Sequence, residues 1–244
     1  MKAGNEMDAA LEDELTIDMC HVTGGYGPIP ILKDLSFQVK QGESVAVVGE
    51  NGAGKTTFFR ALLQLLPIQH GSMTILGRPI RSDRDKRWTR SFIGYVPQSF
   101  EIGKLPISAE DAVLLGRWGT SFSFGRRPSR QDVELAEAML ARVGLADFRR
   151  TDCRLLSGGQ KQRLNIARAL VRKPKILLLD EPTTYLDDDS RHMLKALIDA
   201  CRHQEQTTVV TITHLREEAL QMSDRIVILK NGYLHTSSLM EEGE

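Results

Sequence analysis

The run Gly49-Glu50-Asn51-Gly52-Ala53-Gly54-Lys55-Thr56 matches G-x-x-x-x-G-K-[ST] and separates two segments of different period. Before it, residues 44–48 form a continuous apolar stretch of strand length, the pattern of a strand covered on both faces. After it, Phe58, Phe59, Leu62, Leu63 and Leu66 recur at helical spacing from about Gly54, with Pro67 just beyond. Strand, glycine loop and helix together predict an α/β fold with a buried sheet. The glycines let backbone N–H groups approach an anion at a helix N-terminus, Lys55 adds a positive charge and Thr56 a hydroxyl, so phosphate binding is expected here.

The rest of the chain falls into two α/β blocks around a helical insert. Leu15, Ile17 and Met19 alternate with Thr16, Asp18 and Cys20, and Leu35, Phe37 and Val39 alternate with Ser36, Gln38 and Lys40. Each set reads as a half-buried strand, the second closed by a turn at Gln41-Gly42. Residues 93–96 read as a short strand ended by Pro97. Residues 106–118 are predicted helical and 119–128 irregular. Ser129 is a candidate N-cap for a helix carrying Val133, Ala136, Met139, Leu140 and Val143, with Gly144 past its end. Then come a buried strand at 176–179, a helix carrying Met193, Leu194, Leu197, Ile198 and Cys201, a strand at 208–213, a helix at 216–222 and a strand at 225–229. Asn231-Gly232 is a hairpin signal leading into 233–235. The expected organisation is a flexible leader at 1–13, one domain over 14–236 and a tail at 237–244. Within the domain, 14–98 and 171–236 form the α/β core with a β subdomain, and 99–170 a helical subdomain.

Thirty-two basic and 32 acidic side chains cancel, so no overall field draws the chain to nucleic acid or anionic lipid. The cluster Arg78, Arg81, Arg84, Lys86, Arg87 and Arg90 is interleaved with Asp83 and Asp85 and reads as a solvated, ion-paired face. No apolar run approaches the roughly 20 residues of a bilayer span, and the polar, acidic start carries no secretory signal. Cys20, Cys153 and Cys201 show no C-x-x-C spacing and are expected as reduced thiols.

Two further stretches carry chemistry. Ile176-Leu177-Leu178-Leu179-Asp180-Glu181 is an apolar strand ending in two carboxylates, expected to point to opposite sides at the carboxyl end of a parallel sheet. Leu156-Ser157-Gly158-Gly159-Gln160 opens a helix with Ser157 as N-cap; it reads either as an ordinary capped start or as a second anion site at a positive dipole end.

Taken together with residues 49–56, the string Leu156 to Gln160 resembles the ATP-binding-cassette (ABC) ATPase signature letter for letter, and the resemblance extends over roughly residues 15–235. It implies a P-loop NTPase core with an N-terminal antiparallel β subdomain and an inserted α-helical subdomain. It implies ATP held by Gly49, Glu50, Asn51, Gly52, Ala53, Gly54, Lys55, Thr56 and Thr57, with Tyr26 stacked on adenine. Asp180, Thr56 and Gln98, the last resembling the family's Q-loop glutamine, would hold Mg²⁺. Glu181 would polarise the attacking water, and His214 resembles the switch histidine that contacts the γ-phosphate. Ser157, Gly158, Gly159 and Gln160, with the D-loop Asp187, would close on the nucleotide of a second subunit, implying a head-to-tail homodimer. Tyr185 stands in that D-loop where the family usually has a small residue.

A transport role implies separate transmembrane permease subunits at the cytoplasmic face of the membrane, received beside Gln98 and the helical insert. The run from Pro106 to Arg117 is similar to ATPases of zinc, manganese or iron-chelate importers, which work with a substrate-binding protein. A non-transport assembly or regulatory ATPase is the alternative.

Overall fold

The computed structural model describes residues 15–98, 106–119, 121–123 and 125–236; the expected leader and tail lie outside the described residues, as do 99–105 at the start of the helical subdomain. Two sheets organise the chain. Strands β1 (Leu15–Gly24), β2 (Leu32–Lys40), β4 (Ile68–Ile75) and β5 (Arg78–Pro79) pair antiparallel in the order β2-β1-β4-β5. The second sheet runs β10-β9-β3-β8-β7-β6, built from β3 (Ser44–Val48), β6 (Ile93–Val96), β7 (Ile176–Asp180), β8 (Thr208–Thr213), β9 (Arg225–Lys230) and β10 (Tyr233–Thr236). It is parallel except at the β9–β10 hairpin, whose Asn231 and Gly232 have φ of 52° and 85°, the positive pair that a two-residue hairpin turn requires.

Both faces of the parallel sheet are covered, which is why its strands read as unbroken apolar runs. Ile176 and Leu178 of β7 join Phe58 and Phe59 of helix α1 (Lys55–Leu62) and the inner face of the antiparallel sheet in one core. Leu177 and Leu179 face the other way, onto α6 (Asp188–Glu205) and the helical subdomain. That subdomain consists of α3 (Ala109–Leu115), α4 (Arg130–Arg142) and α5 (Gly158–Leu170), packed through Val113, Leu140 and Leu164, each fully buried. Ser129 caps α4 in a reciprocal capping box with Asp132, as its sequence predicts. Helix α7 (Arg216–Met222) packs against β3 through Ala219.

Several elements depart from expectation. Helix α1 stops at Leu62, short of Leu66, because Gln64 takes a left-handed φ of 53°; Leu66 still reaches the core, but from a loop. Strand β4 was not legible: its first five residues are exposed, so no buried alternation marks it. Of the Arg/Lys cluster, Arg84, Lys86, Arg87 and Arg90 lie in a helix, α2 (Asp83–Arg90), with only Thr89 buried. It is held by a Ser82–Asp85 capping box and by Arg78, whose guanidinium bonds Asp85 at 2.8 Å and lies 4.9 Å from the Trp88 ring centre. In the importer-like run, Gly116 is a packing residue: a Cβ there would lie 2.3 Å from the Arg168 carbonyl of α5. Arg117 next to it pairs with Asp132 of α4 at 2.5 Å.

Candidate active site

Four adjacent strands, β3, β8, β7 and β6, end on the same side of the parallel sheet, and each delivers one predicted site segment. Val48 pairs with Thr213, Asp180 with Ile212 and Val96 with Leu179. The glycine loop, His214, Glu181 and Gln98 therefore emerge along one edge, the carboxyl end where α/β sheets hold ligands.

The loop from Gly49 to Gly54 is shaped by close approach and by positive φ. A Cβ on Gly49 would meet the Leu229 carbonyl at 2.4 Å, and Gly52 and Gly54 have φ of 84° and 102°. Gly54 occupies the N-cap of α1 without a side-chain cap, which leaves the first amides of the helix for an anion. Lys55 is buried, and its Nζ donates to the carbonyls of Gly49 at 2.7 Å and Glu50 at 3.1 Å. Thr56 is exposed, as are Glu50, Asn51 and Gly52, while Ala53 and Thr57 are half-buried. A cleft of about 690 Å³ runs along this loop, lined by residues 48–53, His214, Arg216 and residues 228–231.

The two carboxylates separate, though not by strand alternation. Strand β7 ends at Asp180, and Glu181 turns out of it with a left-handed φ of 45°, its amide held by the Ile212 carbonyl at 2.8 Å. A non-glycine residue in that region stores backbone strain, a common property of functional positions. Asp180 is buried and accepts a hydrogen bond from the Tyr95 hydroxyl at 3.3 Å. Burial pushes its pKa up; the Tyr95 bond opposes that shift, the Glu181 charge adds to it, and Lys55 opposes it. Glu181, also buried, accepts from the Gln98 amide at 2.7 Å on Oε2 and lies 3.2 Å from His214 Nδ1 on Oε1. Glu181 thus joins Gln98 and His214 through its two carboxylate oxygens.

The donors expected for Mg²⁺ are all oxygens: the exposed Thr56 hydroxyl, the Asp180 carboxylate and the Gln98 amide. Among the described residues no group of three His, Cys, Asp or Glu converges as a metal cage. Mg²⁺ binds through one or two carboxylates together with substrate phosphates, so this sparse hard-oxygen set fits it.

The second glycine motif lies elsewhere. Ser157 N-caps α5: its Oγ accepts from the Gln160 amide at 3.2 Å, and Gln160 Oε1 accepts from the Ser157 amide at 2.8 Å. Among the described residues, the cleft along the glycine loop has none of residues 157–160 in its lining. Tyr185 packs on the motif from the D-loop, its Cβ 3.6 Å from where a Gly158 Cβ would be, and remains 58% exposed. Asp187 caps α6 by accepting from the Ser190 amide at 2.9 Å. Tyr26 is exposed, and its hydroxyl accepts from Arg60 at 2.8 Å. Tyr95 and Arg60 were not anticipated: each matters through a partner distant in sequence, Asp180 and Tyr26, and neither lies in a motif.

The family model described as "ABC transporter" matches residues 32–184, well over half of the chain. The manganese transport system ATP-binding protein MntB of Bacillus subtilis (strain 168) is 34% identical over 87% of this chain and 82% of its own length. The Nod factor export ATP-binding protein I of Rhizobium meliloti (strain 1021) is 38% identical over 90% of this chain, which spans only 63% of that relative. Among solved structures, a chain of a metal-chelate type ABC transporter in an inward-facing conformation superposes with a TM-score of 0.77 at 28% identity, covering 92% of this chain and 83% of that one. The dimeric cassette MJ0796 gives 0.78 at 29%, covering 90% and 98%; a related dimer of it holds ADP and Pi. With the glycine loop, paired carboxylates and signature string already in place, the chain belongs to the ABC transporter family as an ATP-binding, ATP-hydrolysing subunit.

Proposed function

We propose that this ATPase drives import of a divalent metal ion or metal chelate. It works as a head-to-tail homodimer at the cytoplasmic face of a membrane, beneath separate permease subunits that take cargo from a substrate-binding protein. The observation that carries the metal reading is its likeness, along most of the chain, to a manganese transport ATPase and to a metal-chelate type transporter. No helix among the described residues is long and apolar enough to cross a membrane. Leu115 and Trp118, 49% and 42% exposed at the end of α3, offer apolar surface for contact with the permease.

In the proposed cycle the amides of residues 49–57 and Lys55 hold the β- and γ-phosphates, and Tyr26 stacks on the adenine. Thr56, Asp180 and Gln98 would hold Mg²⁺, which neutralises phosphate charge when bound. Glu181 orients and polarises the attacking water, and His214 contacts the γ-phosphate. The partner's copy of the signature completes the site. The Ser157 hydroxyl already accepts from the Gln160 amide, which leaves its O–H to donate to a γ-phosphate oxygen, while Gly158 and Gly159 present the remaining amides of the α5 terminus. Asp187 sits at the facing edge.

Export is the second reading, favoured by the 38% identity to the Nod factor export protein. Co-purification followed by reconstitution with the captured membrane subunits decides between them. Turnover stimulated by a metal-loaded binding protein outside the vesicle supports metal import. Stimulation by cargo on the ATP side overturns it in favour of export. Full turnover with no membrane partner captured overturns it in favour of an assembly or regulatory ATPase.

A further inference from the structure

We propose that Glu218 is a positioning residue that sets Glu181 and His214 relative to one another; this rests on the catalytic reading of that pair. Glu218 lies in the first turn of α7, half-buried and outside the motifs. Its Oε2 accepts from Thr183 Oγ1 at 2.7 Å and from Thr213 Oγ1 at 3.2 Å. Thr183 stands two residues after Glu181, and Thr213 immediately before His214. One carboxylate oxygen therefore joins the loop leaving β7 to the turn leaving β8.

Each side of this link is fixed further. Thr183 and Thr213 are buried, so their hydroxyls sit where an unmade hydrogen bond is costly. Thr213 Oγ1 also accepts the Leu215 amide at 3.0 Å, pinning the turn that carries His214. Thr184 Oγ1 donates to the Glu181 carbonyl at 3.0 Å, stiffening the turn that gives Glu181 its left-handed φ. Across the gap the pair meets at 3.2 Å between His214 Nδ1 and Glu181 Oε1. Glu218 does not touch that contact. It holds the two backbones whose separation sets it, and a misplacement of about 1 Å in such a pair costs up to about 100-fold in rate.

Both hydroxyls donate to the same oxygen, and that gives the test. An amide oxygen can accept the same two bonds, so Glu218→Gln is expected to keep most of kcat. Glu218→Ala is expected to lower kcat about 10- to 100-fold, with the KM for ATP and fluorescent-nucleotide affinity changed by less than about twofold. Thr183→Val is expected to lower kcat and Thr183→Ser to restore it. Equal losses in the Gln and Ala variants, or wild-type turnover in the Ala variant, overturn the proposal. So does a rise in KM at unchanged kcat. Should Glu218→Ala fail to fold, the two Thr183 variants decide, and equal turnover in them overturns it. Glu181→Gln runs alongside. If it keeps full turnover, the catalytic reading of Glu181 falls; if it is inactive while Glu218→Ala matches wild type, only the role of Glu218 falls.

Discussion

Replacing Glu181 by Gln separates binding from chemistry in this site. The substitution keeps the size of a buried side chain and leaves an oxygen able to accept either from the Gln98 amide or from His214. What it removes is the proposed base. General-base catalysis contributes about 10²- to 10⁴-fold, which is about 2.7–5.4 kcal/mol of barrier at 1.36 kcal/mol per decade. Binding is expected to survive, because the glycine loop, Lys55 and Thr56 do not lean on Glu181 among their hydrogen bonds. The substitution also removes a neighbouring negative charge that helps push up the pKa of Asp180, so Asp180 should ionise more readily and no loss of folded stability is expected. Phosphate release under saturating ATP, nucleotide titration and gel filtration with ATP read these effects separately. The expected result is slow release, intact binding and an accumulated ATP-bound dimer. Undiminished phosphate release would refute the role given to Glu181, and lost nucleotide affinity would show that the carboxylate holds substrate rather than water.

Ser157→Arg should abolish turnover while nucleotide titration of the dilute, monomeric chain stays near wild type; loss of monomer affinity would mean that the signature acts on its own chain's loop. Gly116→Ala forces a Cβ to within 2.3 Å of the Arg168 carbonyl and should destabilise the fold by about 1–3 kcal/mol, measured by denaturant unfolding; an unchanged midpoint would contradict the close α3–α5 packing. Asp132→Asn tests the α4 cap through pH. Hydrogen bonds from Ser121 and Ser129, and the Arg117 guanidinium, hold the Asp132 carboxyl well below the usual carboxylate range. A depressed folded pKa gives stability that is present above the unfolded value, about 3.9, and lost as pH falls through the folded one. The variant should therefore be less stable by about 1.5–3 kcal/mol at pH 7, with the gap closing below pH 4; a gap independent of pH would exclude the carboxylate as its source.

Most of the site was legible because its residues sit at strand ends, where apolar runs stop abruptly. The run from Ile176 ends at Asp180, the run from Ser44 at the glycine loop and the run from Thr208 at His214, and strand order then places those ends side by side. What was not legible depends on partners far apart in sequence. Arg60 bonds Tyr26, 34 residues away, and Tyr95 bonds Asp180, 85 away. Strand β4 is exposed over its first half and α2 buries one residue, so neither gives a periodic signal; the Ser82-x-x-Asp85 cap was the available cue for the helix. The left-handed turn at Glu181 leaves no mark in residue type, since glutamate has no preference for it.

The importer-like run shows where such resemblance stops informing. Ser108 caps α3 by accepting from the Asp111 amide, Val113 is fully buried, Gly116 admits the α5 backbone and Arg117 pairs with Asp132. Every one of these matching residues builds the helical subdomain. The run therefore specifies how α3, α4 and α5 pack, and cassettes that carry different cargoes can share it for that reason alone. In the proposed dimer the helical subdomain would serve coupling, because α5 is capped by Ser157 and, through the Gln162 amide, bonds the Pro182 carbonyl directly after Glu181 at 3.0 Å. A nucleotide pressed on the start of α5 by a partner would thus act on the same rigid helix that braces the proposed base of this chain, which gives head-to-tail closure a physical route from one site to the other.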